Sequence, residues 1–206
     1  MIRQRSAHAR QLGCVVGLCV VVAGCASYPG GELPKRSCQD LVVPASKPSV
    51  DYSLRFLTQG VENAMAVKLA QARVDSVLAE SRLFASARPA VGTQPLHFDL
   101  VLENRGNVGA AVLSGFVCGL TLTLVPVKAR DGYILTADVS RNGQLLKQYR
   151  YEDHVDTWFQ LFLIVLTPTH RPDHVVNGVI DNMLLNFLCD VQRDKLIQPA
   201  VALQGG

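Results

Sequence analysis

Two histidines and an aspartate stand close together in His170-Arg171-Pro172-Asp173-His174. Histidines four residues apart on a helix can offer two ring nitrogens to one metal ion. Pro172 lies between them, however, and suits the first turn of a helix, so His170 falls outside it. The pair reads as exposed helix-start residues, with Asp173 and His154 as candidates for a further ligand. A second group, Glu152, Asp153, His154 and Asp156, sets a histidine among carboxylates, a pairing that general-base chemistry uses. The plainer reading is a solvated strand end or turn. No nucleophile elbow, zinc-protease motif or phosphate-binding loop occurs. The sequence therefore predicts no enzyme, no cofactor and no metal site. Arg141, Lys147 and Arg150 form a short basic hairpin edge of the kind that discourages edge pairing.

The six cysteines carry the remaining chemistry. The chain opens with Arg3, Arg5 and Arg10 and has no acidic residue before Cys25. An apolar run, Leu12-Gly13-Cys14-Val15-Val16-Gly17-Leu18-Cys19-Val20-Val21-Val22-Ala23, follows. This is the basic-then-apolar build of a secretory signal, and it is short for a membrane-spanning helix. It ends in Val22-Ala23-Gly24-Cys25. With these residues the leader resembles that of bacterial lipoproteins, whose lipobox ends in a small residue and a cysteine. The resemblance implies a signal peptide over 1–24 and a Cys25 that is acylated with palmitate-type chains after cleavage. Val22 stands where Leu is commoner. Cys14 lies too early and Cys19 follows the bulky Leu18. The resemblance also implies that Ala26 and Ser27, in place of an Asp, direct the protein to the periplasmic face of the outer membrane. An ordinary secreted chain with a chance cysteine, or an uncleaved anchor, is the alternative. Of Cys38, Cys118 and Cys189, an oxidising compartment would allow one pair, and Cys38 with Cys189 is the expected one; free or buried thiols are the alternative.

The chain carries 20 Lys and Arg against 17 Asp and Glu. Three of those Arg lie in the leader, so the remainder is balanced at 17 of each sign. That balance gives no argument for nucleic acid as a partner.

Pro29, Pro34, Pro44 and Pro48 with Gly30-Gly31 predict a flexible tether over 25–50. A single α+β periplasmic domain is expected over 51–195, with a C-terminal tail over 196–206. Asp51 to Thr58 suits a first strand. Val61 to Phe84 lacks Gly and Pro and predicts a helix with an apolar stripe of Val61, Met65, Leu69 and Ala72, extended by Ala79 and Leu83. Leu96 to Glu103 alternates as a strand, with Leu96, Phe98, Leu100 and Leu102 inward. Asn142-Gly143 and Asp131-Gly132 each predict a tight hairpin, joining strands Leu120–Lys128, Tyr133–Ser140 and Leu145–Tyr151 into a meander. After Pro172, Val176, Ile180, Met183, Phe187 and Val191 recur at helical spacing.

The expected fold is thus α+β: a mixed, mainly antiparallel sheet covered by two amphipathic helices, with two apolar segments. In outline it is similar to small periplasmic modules such as the N-terminal domain of TolB-like proteins or the core of curli-secretion lipoproteins. The apolar segments are 108–126, which has no charged residue, and 158–166. The glycines and β-branched residues of the first argue against a spanning helix. Both are expected to meet at one end of the sheet, packed on each other or dipping into lipid. Trp158-Phe159 would suit a membrane interface or a core pair.

The function expected is that of a lipid-anchored outer-membrane lipoprotein with a binding or envelope-assembly domain. Its partners would be the membrane, through acyl chains on Cys25, and envelope proteins or further copies of itself. One alternative is an oligomeric pore or export-complex lipoprotein that inserts 108–126 and 158–166 into the membrane. Another is a periplasmic hydrolase without a recognisable motif.

Overall fold

A computed structural model describes residues 24–106, 126–160, 163 and 170–197. The leader before Gly24, nearly all of 108–126, most of 161–166, Cys118 and the tail beyond residue 197 lie outside the described residues. The strands are β1 (Gly24–Pro29), β2 (Ser49–Thr58), β3 (Val61–Glu62), β4 (Ser86–Pro89), β5 (Leu96–Gly106), β6 (Val127–Arg141) and β7 (Gln144–Gln160). Two helices, α1 (Ala64–Ser81) and α2 (Pro172–Arg193), and a 3-10 turn at Cys38–Asp40 complete the elements. The sheet order is β1-β7-β6-β5-β2-β3, with β4 also on β2. β2 runs parallel to β5 and β4, and antiparallel to β3; β5 and β6 are antiparallel from Leu96↔Arg141 to Gly106↔Asp131. The class is α+β, a mixed and mainly antiparallel sheet with two helices. Among the described residues, no helix is long and apolar enough to cross a membrane.

The chain divides into two compact units. The larger comprises Pro29–Gly106, Asp131–Val155 and Val176–Gly206, and the smaller Met1–Tyr28, Asn107–Arg130 and Asp156–Val175. The core of the larger unit follows the alternation of its strands. Leu96, Phe98, Leu100 and Leu102 of β5 are all buried, as are Leu135, Ala137 and Val139 of β6. From α2, Ile180, Met183, Phe187, Leu188 and Val191 are buried. Phe187 meets Phe98 edge-on at 5.1 Å between centroids and Tyr149 at 5.7 Å, the tilted geometry that aromatic quadrupoles favour. Tyrosine hydroxyls reinforce the helix contacts: Tyr52 donates to Asp75 of α1, and Tyr151 to Asp190 of α2 at 2.8 Å.

Several expectations are corrected. Asn142 and Gly143 do turn β6 into β7, with φ of 52° and 79°, as a primed hairpin turn requires. Asp131-Gly132 does not turn. It lies inside β6, paired with Arg105 and Gly106 of β5, because the cross-strand ladder with β5 claims it. Val127 and Lys128 therefore belong to β6, and residues 120–125 of the expected strand lie outside the described residues. Helix α1 begins later than expected. Gln59 and Gly60 take positive φ, turning Val61–Glu62 back onto β2, and Asn63 caps the helix by accepting from the Ala66 amide at 3.1 Å. Most of its expected stripe faces outward, with Val61, Met65 and Leu69 each 70% exposed, while Leu83, just past the helix end, is buried. The stripe on the sheet is Ala70, Val74, Val77, Leu78 and Ser81.

The flexible tether is also corrected. Residues 24–29 are a sheet strand, and 32–42 are held by side chains. Asn186 of α2 donates to the Pro34 carbonyl at 2.9 Å, and Asn182 accepts from the Arg36 amide at 2.9 Å. Gln192 accepts from the Val42 amide at 2.8 Å. Prolines and glycines here shape a strap tied to α2 at Pro34, Arg36 and Val42 rather than through a ladder.

Candidate functional site

The described part of the smaller unit gathers at Cys25, the second residue of β1. Its neighbours Ala26 and Ser27 are both 0% exposed. The Ser27 hydroxyl lies 2.8 Å from that of Thr157 on β7, and the Ser27 amide donates to the His170 carbonyl at 2.9 Å. Tyr28 packs on the His170 ring, 4.7 Å between centroids. Further along the same two strands, the Gly30 amide donates to the His154 carbonyl at 2.7 Å. Moving from Gly30 back to Ser27 thus corresponds to moving from His154 on to Thr157, the antiparallel pattern. Two residues further, Cys25 comes level with Phe159.

Trp158 and Phe159 end β7 on opposite faces, yet they are exposed to 37% and 36%. The inward-facing residues before them, from Tyr149 to Thr157, are buried. Both aromatic residues are thus more open than the inward-facing residues that precede them. Lys128 of β6 sits 5.6 Å from the Trp158 ring centre, within cation–π range. Its ammonium is also 2.6 Å from Asp156, which Arg130 holds at 2.8 Å. The Arg130 hydrogen bond, helped by Lys128 and opposed by partial burial, holds the Asp156 carboxyl down at about 2. Asp156 is thus a fixed anion between two cations, unsuited to proton transfer near neutral pH.

The other sequence candidates are dispersed. Glu152, Asp153, His154 and Asp156 are neither a turn nor a cluster but successive positions within β7, so their side chains alternate between faces. His154 Nδ1 lies 3.0 Å from Glu32, and buried Asp153 accepts from the Glu32 and His154 amides. His154 also explains Gly30: a Cβ there would overlap the imidazole ring. Asp173 pairs with Arg171, and His174 stands exposed in the first turn of α2. His170 does precede that helix and is engaged by β1 instead. No group of metal-ligand side chains assembles among the described residues. On the hairpin, Arg150 is paired with Glu152, Lys147 with Asp194, and Arg141 with the Leu196 carbonyl. Cys38 and Cys189 stand as thiols rather than as the expected disulfide, and burial pushes both up from the usual range.

One juxtaposition was not visible in sequence because its members come from two strands. Ser53 of β2 and His97 and Asp99 of β5 share a face of the sheet. The Ser53 hydroxyl donates to Asp99 at 2.7 Å and lies 3.5 Å from His97 Nε2. His97 Nδ1 has no partner among the described residues. A hydrolytic triad needs the base bonded to the serine and oriented by the carboxylate; here the carboxylate binds the serine instead.

No protein-family model matches the chain, and no curated protein matches it by sequence. Solved structures similar to it include a minor lipoprotein from Acinetobacter baumannii, 9% identical over 74% of this chain and 96% of that one, TM-score 0.43. A neuraminyllactose-binding hemagglutinin homolog from Helicobacter pylori is 10% identical over 79% and 91%, TM-score 0.44. A PelC dodecamer subunit from Paraburkholderia phytofirmans is 12% identical over 77% and 98%, TM-score 0.39. Bacterial lipoproteins are thus among its structural neighbours.

Proposed function

We propose that this chain is a non-catalytic envelope lipoprotein, held to the outer membrane by acyl chains on Cys25 and presenting its α+β fold as a binding or assembly module. The observation that carries the reading is Val22-Ala23-Gly24-Cys25 behind a basic and then apolar leader. Cysteine suits the role because its thiolate is a strong nucleophile for acyl transfer. Several acyl chains are needed for lasting attachment, since each buried CH₂ contributes only about 0.8 kcal/mol. The surroundings of Cys25 agree: an exposed tryptophan and phenylalanine with a lysine beside them suit a membrane–water boundary. Metabolic labelling with a palmitate analogue, followed by separation of inner and outer membranes, tests the reading. The wild-type chain should be labelled and sediment with the outer membrane, and Cys25→Ser should lose both properties. Equal labelling of Cys25→Ser refutes the anchor; labelled protein in the inner membrane refutes the destination.

A further inference from the structure

The acylated residue of a lipoprotein can be separated from its folded part by a length of free chain. Here that slack is missing. Ala26 is fully buried and follows Cys25 by one Cα step, about 3.8 Å, and Ser27 is fastened to both Thr157 and His170. Cys25 is level with Phe159 on the neighbouring strand, and adjacent strands lie about 4.8 Å apart. The headgroup region on each side of a bilayer is about 5–7 Å thick. A lipid attached at Cys25 therefore brings the end of β7 into that region.

We infer that the smaller unit docks directly on the lipid surface: the anchor leads straight into β1, and Trp158, Phe159 and Lys128 sit at headgroup level. This rests on acylation of Cys25. Three independent features of the same end agree with it. Trp158 and Phe159 are exposed on both faces of β7 just where the buried run of inward residues ends. Lys128 places a cation over the Trp158 ring, and Trp and Lys side chains both settle at the polar boundary of a bilayer. Finally, in the sequence the uncharged stretch 108–126 ends two residues before Lys128, and the apolar run 158–166 begins with Trp158 and Phe159.

Trp158 is the chain's only tryptophan, which supplies the probe. The acylated full-length product is reconstituted into phosphatidylcholine vesicles containing phosphatidylcholine brominated near the headgroup end of its acyl chains. Trp158 should lose about half its emission or more, as a ring at the interface does. A second variant carries about 20 Gly and Ser residues between Cys25 and Ala26, a coil of roughly 25 Å, which leaves β1 from Ala26 onward intact. Its quenching should fall at least two-fold. Acylated wild-type protein with unquenched Trp158 overturns direct docking and leaves the anchor standing. Unchanged quenching in the lengthened variant overturns the claim that the short connection imposes contact. A product with no acyl group at Cys25 removes the anchor and the docking together.

Discussion

Asp51 is the described charged residue whose removal should cost the fold most. It lies on β2, is 0% exposed, and its carboxylate is spent on one loop. It accepts from the Thr93 amide at 2.6 Å, the Thr93 hydroxyl at 2.9 Å and the Gln94 amide at 2.7 Å. Hydrogen bonds to a charged group contribute about 1.5–3 kcal/mol each. Simple addition overstates the total, because the 91–94 loop is near solvent and freed donors can turn to water. Asp51→Ala should therefore lose about 2–4 kcal/mol, and Asp51→Asn, which keeps one acceptor, about half that. The pH dependence has a definite sign. Burial pushes the Asp51 carboxyl up, but the bonds from Thr93 and Gln94 outweigh it and leave it below the ordinary value. A depressed carboxyl contributes stability above its unfolded pKa, near 3.9, and loses it as pH falls through the folded value. Urea unfolding of wild type and Asp51→Asn at a series of pH values reads both effects. The gap should be full at pH 6–7 and shrink as pH falls below about 4. A loss under about 0.5 kcal/mol for Asp51→Ala, or a gap that widens in acid, would refute the reasoning.

Three further outcomes follow from burial. Phe187→Ala and Ile180→Ala should each lose about 2–5 kcal/mol by chemical denaturation, and a loss below 0.5 kcal/mol at both would show that this face of α2 is not core. Met65→Gln and Leu69→Gln, on the outward stripe of α1, should change stability by less than about 0.5 kcal/mol; losses of core size would put the stripe inward. Cys38 and Cys189 should react with iodoacetamide at pH 8 more slowly than a small free thiol, because burial raises both thiols; rates matching the small thiol would contradict their partial burial.

The sequence made the layers legible wherever periodicity was unambiguous. Leu96 to Leu102 alternates cleanly, and the face of α2 is a continuous stripe, so both registers could be read directly. Asn142-Gly143 was legible because two positive φ values are local chemistry. Asp131-Gly132 carries the same local signal but is overruled by pairing with β5, which no local signal reveals. Helix α1 has two apolar stripes, and only the position of the sheet decides between Met65 and Val74. The strap failed for a related reason: prolines and glycines mark backbone that forms no ladder, not backbone that forms no bonds, and Asn182, Asn186 and Gln192 lie some 150 residues away. At the candidate site, the leader singles out Cys25 by its sequence alone. The place of Cys25 in a strand beside Thr157 was not legible, since Gly-Cys-Ala-Ser-Tyr-Pro has no alternation.

That strand bears on the order in which the protein matures. β1 starts at Gly24, so the Gly24–Cys25 bond, the one a lipoprotein signal peptidase cuts, lies within it. A peptidase requires an extended segment free of other pairing. On the lipoprotein reading, β1 joins the sheet only after the leader has gone, and β7 waits until then with its outer backbone groups open. An open strand edge is a template for unwanted pairing. Cleavage would therefore do more than release the chain from its leader: it would supply the short strand that covers the far end of the β7 edge, making a precursor stalled at this step the species most prone to aggregate.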